Sequence, residues 1–404
     1  MDGFRSPAVF SRHTVLAWLL HKQHLTDEAK TDDILQIARD IYGLHATGPT
    51  TPYVSLFARA MDFTRNKLDE QLYVKRTLGK IRCVRTTVHV LPRETIPIAF
   101  AATKGIVEPN SEDFCRHLGI TKEQYEDASR EILGILKGTG LSTLQIKKQL
   151  GAKLNASPIV NLMCDQGLLM RGQSGRGWKS NTHTYYLFSD YFPEMNLNAV
   201  DQAQARELTV GQYLAGYGPA TVRDISWWTG FTLTEVRRML QSRAHETTEV
   251  AIPELEETYL MLAADEAAMR SLEFSDKPVV NLLPASDPYL MGYKERERYL
   301  DYKYYEMVFD RSGNGTSTIL VDGRVVGVWD FSEVPKPTVK LFLFHKLERK
   351  LLRAVESRAR AMGKFMGDKA VTIEMCDQMV PLTQRTAGGF MSPLGPSTGR
   401  NVNN

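Results

Sequence analysis

Cysteine is scarce: Cys83, Cys115, Cys164 and Cys376 are the only four in 404 residues, with no C-x-x-C pair and no histidine nearby at ligand spacing. That excludes a disulfide-stapled scaffold and a zinc site of the common spacings, and makes a reducing compartment, cytoplasm or nucleus, the expectation. Long apolar runs are missing too. Nowhere do eighteen apolar residues follow one another, so no segment is expected to span a membrane. The opening stretch MDGFRSPAVFSRHTVLAWLLHKQ is interrupted by His13 and ended by His21 and Lys22, and does not read as a signal peptide. Net charge is nearly absent: 50 Lys+Arg against 47 Asp+Glu leave +3, too little to argue from the total for a protein that coats nucleic acid or membranes. What remains, 43% hydrophobic and 24% charged, excludes a disordered or fibrous chain and suffices for two or three cores.

The charge that is present is unevenly placed. Lys75 to Arg93 holds six basic residues and no acid, and Lys147 to Lys179 holds six more against the single acid Asp165. Glu246 to Asp276 holds nine acids and one Arg270. If the basic segments share a face, that face suits phosphates; otherwise they are separate solvated surfaces.

Punctuation residues divide the chain into modules. Between Gly140 and Phe188, Thr143 is expected to cap a short helix, Ser157-Pro158 to start a second through Ile159, Val160, Leu162 and Met163, and Gly167 to end it. Leu168 to Met170 and Thr182 to Phe188 then read as strands around a turn with Gly172, Gly175 and Gly177. Helix, turn, helix and hairpin in that order make a winged helix. Its second helix can enter a major groove, and a wing carrying Arg171, Arg176 and Lys179 can meet phosphates. A second copy lies in GYGPATVRDISWWTGFTLTEVRRMLQS, where Thr221 caps one helix and Thr232-x-x-Glu235 forms a capping box for the next. Its wing would come from the acidic segment, a poor phosphate binder. Trp227, Trp228 and Trp329 read as core residues.

In the first 100 residues, helices are expected over about His13 to His24, Thr31 to Tyr42 and Tyr53 to Ala60, with the loop GLHATGPTTP between the last two. Cys83 to Leu91 reads as one strand, which would put Arg85, Thr87 and His89 on one side. From Pro278 strands dominate, with Asp322-Gly323 as a hairpin signal, then a helix ending at Met366. The domain boundaries that follow are 1–110, 111–195, 196–275, 276–370 and a loosely ordered tail, 371–404, containing Gly388-Gly389, Pro393 and Pro396.

The phrases GLHATGP, VRTTVHVLP, YGPATVRDISWWTGFTLTEVRRML, VNLLPASDPYLMGYKER and NGTSTILVDGRVVGVWDF occur in an order and spacing that resembles the AlkZ-like (YcaQ-like) DNA glycosylases, also described as winged helix DNA-binding domain-containing proteins, over about residues 10–367. The resemblance implies an α+β fold of tandem winged-helix modules with a β-rich C-terminal part, C-shaped around a concave, basic DNA channel. It implies a monomer without cofactor or metal that removes N3- or N7-alkylated purines from double-stranded DNA, interstrand crosslinks included. The family's catalytic motif is Gln-x-Gln or Gln-x-Asp; here the matching positions are His45 and Thr47.

An alkylated purine is cationic and already a good leaving group, so the remaining task is to stabilise an oxocarbenium-like sugar and hold a water for attack at C1′. A neutral His45 could take that water's proton, and Thr47 could fix the water or the imidazole tautomer. The same residues can serve as turn formers before Gly48-Pro49. Arg85 would be a phosphate contact and Thr87 and His89 supporting residues if their side lines the channel, and a polar exposed face otherwise. Asp287 either orients the catalytic loop, contacts a flipped base, or forms a turn before Pro288. Two rivals remain beside the glycosylase: a non-catalytic DNA-binding regulator or lesion binder, and a site turned to a small molecule.

Overall fold

The computed structural model describes residues 6–151, 155–273 and 277–384. Among the described residues, helices alternate with four separate small sheets, three of three strands and one of five, and no common sheet joins them.

The N-terminal part begins with the helix Arg12–Lys22, capped by Ser11, and the helix Ile34–Asp40, capped by Asp33. Gly43 follows at φ +89, where a Cβ would lie 2.4 Å from Leu91 Cδ2 and 2.7 Å from the Val90 carbonyl; only glycine lets the chain pass this close. The short strand Leu44–His45 then pairs with Val88–Pro92, which pairs in turn with Leu78–Arg82. The expected single strand from Cys83 to Leu91 is therefore wrong. Val84–Thr86 is a tight turn in which Arg85 and Thr86 both have φ +54, and the strand starts only at Val88. Arg85 thus does not share a strand face with Thr87 and His89. The β-branched residues of VRTTV concealed a turn that ordinarily calls for Gly or Asn.

Helices Thr143–Gln149 and Ala156–Asp165 and the antiparallel strands Leu169–Arg171 and Thr184–Leu187 follow in the expected order, with Gly167 at φ +75 ending the second helix. The caps are Ser142 and Asn155, not Thr143 and Ser157. Further on, Val222–Thr229 and Leu233–Ser242 each begin with a complete capping box, joined through Gly230 at φ +80. The strands Thr247–Ala251 and Thr258–Leu262, within the acidic segment but holding only Glu249 of its acids, pair with each other, and Ala8–Val9 adds a third strand in parallel. In the C-terminal part the Asp322-Gly323 turn, both residues at positive φ, joins Thr318–Val321 to Arg324–Ser332. The helix Arg349–Gly367 covers that sheet with Val355, Ala359 and Met362. Thr372–Met375, inside the segment expected to be a loose tail, is an edge strand paired with Thr338–Leu343; Gly388-Gly389, Pro393 and Pro396 lie outside the described residues.

Polar groups tie the parts together. Five buried tyrosines each donate to a backbone carbonyl: Tyr213 to Gly292, Tyr217 to Ile41, Tyr289 to Gly323, Tyr293 to Tyr217 and Tyr299 to Leu290. Their rings supply the apolar area while their hydroxyls satisfy carbonyls. Trp228 and Trp329 are core residues, but Trp227 is only half-buried and carries Arg85 and Arg296 on its ring. Asp224, at the start of the helix Val222–Thr229, accepts from Arg298 at 2.9 Å and from the Lys294 and Glu295 amides at 2.8 and 2.9 Å. Asp287 is fully enclosed: its oxygens receive both Arg59 nitrogens at 2.9 and 2.7 Å, Ser55 Oγ at 2.7 Å and the Tyr289 amide at 3.0 Å. Arg59 and Ser55 lie on the helix Thr51–Arg59, directly after the GLHATGP loop.

Removing one partner of a buried ion pair strands the other charge. Arg59→Ala should therefore lower unfolding free energy by about 3–5 kcal/mol. Urea denaturation checks this, and a loss below about 1 kcal/mol would show that the pair contributes little.

Candidate active site

A groove of about 1230 Å³ runs between the N-terminal part and the basic helix-helix-hairpin segment. One wall is formed by Ala46, Thr47 and the turn Thr86 to Val88; the other by Ser157 and Asn161 on the helix Ala156–Asp165 and by Arg171 and Arg176. Thr47 is held in place because its Oγ1 accepts from the Val88 amide at 3.4 Å, leaving its own O–H to point elsewhere. It caps no helix: the next helix begins after Thr50, which makes no side-chain cap bond.

His45 pairs in register with His89, and their rings meet edge to face at 5.3 Å. Both are buried, and neither is among the residues lining the groove. Burial, with His89 and Arg85 adding repulsion, holds the His45 imidazole well below its ordinary pKa. His89 is pushed down to about 4, chiefly by burial. Its Nδ1 lies 3.2 Å from the Thr87 carbonyl and so donates to it. Two neutral histidines thus stand behind the loop, and His45 Nδ1 is buried with no hydrogen-bond partner.

A brace missed in the sequence positions this wall. Arg82 donates to the Thr86 carbonyl at 2.6 Å, to Asn110 at 2.8 Å, to Ser111 at 2.6 Å and to Asp165 at 3.0 Å. The same Asp165 lies 3.9 Å from Arg171, which also donates to Asn161 at 3.0 Å. A lone acid among six basic residues was the available signal. One buried carboxylate therefore clamps the turn 84–86 and the hairpin together.

The structure divides the expected site residues. Thr47, Thr87 and Arg176 line the groove; Arg171 lies at its wall but is buried against Asn161 and Asp165, so it braces the hairpin and is not a free phosphate contact. Arg85 does not: it lies 3.7 Å above the Trp227 ring, its pKa lowered to about 10 by burial and by Arg296, because the left-handed turn aims it away. Lys179 is no free phosphate contact either, since its ammonium is paired with Glu333 and donates to the Met366 carbonyl at 2.8 Å. The hairpin tip docks there because Trp178 packs against Tyr53 and Phe365, with Arg65 over its ring. Asp287, fully enclosed, cannot touch a base; it acts on the loop only through Arg59 and Ser55.

Comparison with known proteins gives this groove a context. The family described as DNA glycosylase AlkZ-like matches residues 38–365. The chain belongs to the AlkZ-like DNA glycosylase family. An interstrand DNA cross-link repair glycosylase of Streptomyces sahachiroi is 24% identical over 367 residues, covering 87% of this chain and 96% of that protein. The solved structure of the Streptomyces sahachiroi DNA glycosylase AlkZ superposes with a TM-score of 0.72 at 20% identity, covering 91% of this chain and 99% of that one. The AlkZ-like chain thus has a mixed α+β fold, and its enzyme class is DNA glycosylase. Among the described residues no helix is long and apolar enough to cross a membrane, and no group of three His, Cys, Asp or Glu side chains could hold a metal ion.

The buried imidazoles make a stability prediction. In the unfolded chain His45, His89 and His183, the last lining the groove with its Nδ1 buried, titrate near 6.5; in the folded chain burial pushes His89 and His183 down to about 4 and His45 well below 6.5. Unfolding therefore takes up protons across that interval, so this contribution is complete above about pH 6.5 and is lost as pH falls towards 4. Urea midpoints measured from pH 7 to 4.5 should fall, and His89→Asn should flatten the curve; an unchanged slope would refute the assignment.

Proposed function

We propose that this AlkZ-like chain hydrolyses the N-glycosidic bond of N3- or N7-alkylated purines in double-stranded DNA, bulky adducts and interstrand crosslinks included, acting as a monomer without cofactor or metal. What supports the reading is the loop 45–47: the family resemblance puts the catalytic positions there, and Ala46 and Thr47 form one wall of a groove whose opposite wall carries Arg176. The two helix-helix-hairpin segments are read as winged helices. In the first, Ser157 and Asn161 meet the DNA and Arg176 contacts phosphate.

Alkylation makes the base a cation, so its departure needs little acid help, and the enzyme's work is at the sugar. Thr47, anchored by the Val88 amide, orients a water towards C1′ with its remaining O–H. His45 is neutral at pH 7 and can take the proton that water loses as the new C–O bond forms. Asp287, through Arg59 and Ser55, keeps the helix after the loop from shifting.

One observation favours a second reading. His45 lies behind the groove wall instead of in it, which suits a lesion-binding protein that has lost hydrolysis.

Single-turnover assays on duplexes carrying 7-methylguanine, 3-methyladenine or a nitrogen-mustard crosslink separate the two. The glycosylase should leave abasic sites; His45→Ala should slow release by about 10²–10⁴ with DNA affinity unchanged, and His45→Gln should recover part of the rate. DNA binding without release from any substrate would establish the second reading.

A further inference from the structure

Behind the loop lies a second cavity that the groove reading does not use. It is about 290 Å³ and shares Ala46, Asn181 and His183 with the groove, so the two adjoin at the residue between His45 and Thr47. Its size is at the low end of small-ligand sites, about 300–1,000 Å³. The groove encloses several times the volume of this pocket, about 1230 against 290 Å³, and only the pocket is on the scale of a single base.

The lining is unusual for a structural void. Tyr53, Tyr73 and Trp178 supply aromatic walls, while Asp69, Lys80 and His183 supply polar groups. These are wired together: Lys80 Nζ donates to the Tyr73 hydroxyl at 2.6 Å, and the Tyr53 hydroxyl donates to Asp69 Oδ1 at 2.5 Å. Tyr73 takes only one of the three Lys80 donors. Asp69 is half-buried and gives only Oδ1 to that bond, leaving Oδ2 open to the pocket, while His183 Nδ1 is buried without a hydrogen-bond partner. A dry structural cluster would not leave the His183 nitrogen unpaired. Here a buried cation and a carboxylate oxygen stay available between aromatic rings.

That pattern matches one edge of guanine. N1–H and N2–H₂ are adjacent donors suited to a carboxylate, and O6 beside them is an acceptor suited to an ammonium. Adenine offers only one amino group there, next to an acceptor. We propose that this side pocket receives the alkylated guanine turned out of the duplex, with Asp69 accepting from N1–H and N2–H₂, Lys80 donating to O6 and Trp178 bounding the ring. The proposal rests on the glycosylase reading for its source of the base, since extrusion is how a buried glycosidic bond is commonly reached, but the pocket's affinity can be measured without catalysis.

The test is calorimetric titration of the full chain with free 7-methylguanine, and with 3-methyladenine for comparison, beside single-turnover release from 7-methylguanine duplex. The proteins are wild type, Asp69→Asn, Lys80→Met and Gln173→Trp, the last filling the rim from an exposed position. Circular dichroism melts check that each is folded. Saturable 7-methylguanine binding, weakened at least tenfold by Asp69→Asn and by Gln173→Trp, is expected, with release slowed in parallel. Release by wild type with no base binding, and full activity in Asp69→Asn and Gln173→Trp, would overturn the pocket and leave the glycosylase reading standing. Base binding through Asp69 without release would keep the pocket and refute the glycosylase. Tighter binding of 3-methyladenine would overturn the guanine assignment.

Discussion

A carboxylate can be taken out of water only if cations and N–H or O–H donors replace the hydration it loses. Asp287 meets that condition with four donors drawn from two regions of the chain, and through Arg59 and Ser55 it fixes the helix that follows the loop 45–47. The helix Thr51–Arg59 cannot slide without tearing Arg59 from a fully enclosed partner. Asp224 obeys the same rule at a second junction, capturing Arg298, and at a third Asp165 captures Arg82 and Ser111 through one oxygen, its other having only Arg171 at 3.9 Å. Three carboxylates thus fix how the modules meet, and apolar packing, which is indifferent to small rotations, fills in around them.

This explains an uneven legibility. Local chemistry was readable: the capping boxes at Thr221 and Thr232, the Asp322-Gly323 turn and the glycine after Ala156–Asp165 announce themselves within a few residues. The turn at Arg85-Thr86 was not, since its left-handed backbone is imposed by the Arg82 bond to the Thr86 carbonyl and the Asp165 brace, both tertiary. The site was half legible. Family resemblance and loop punctuation singled out His45 and Thr47, but nothing in the sequence says that one faces a groove and its neighbour but one a second histidine, because that depends on the register Leu44–His45 takes against Val88–Pro92.

The basic segments carry a similar lesson. Read as a charge run, Lys75 to Arg93 and Lys147 to Lys179 suggest a phosphate-binding face, yet much of that charge turns inward. Lys80 bonds to Tyr73, Arg82 to Asp165, Arg85 lies on Trp227, Arg76 donates to the Tyr191 carbonyl at 3.0 Å, and Lys179 reaches Glu333. Arginine and lysine serve here as structural donors because each can satisfy several acceptors where modules meet. Arg176 and the exposed Lys147 and Lys148 keep the outward role.

The spacing of the Arg59 pair along the chain sets an order of assembly. Arg59 and Asp287 are separated by 228 residues. At a synthesis rate of about 5–20 residues per second, the arginine waits on the order of 10–50 s for its carboxylate. During that interval the loop that carries His45 and Thr47 has nothing to hold it against the later sheet. A nascent or truncated chain ending before Asp287 leaves Arg59 and Ser55 without their carboxylate, so the helix that follows the loop 45–47 is pinned only once synthesis has passed residue 287 of 404.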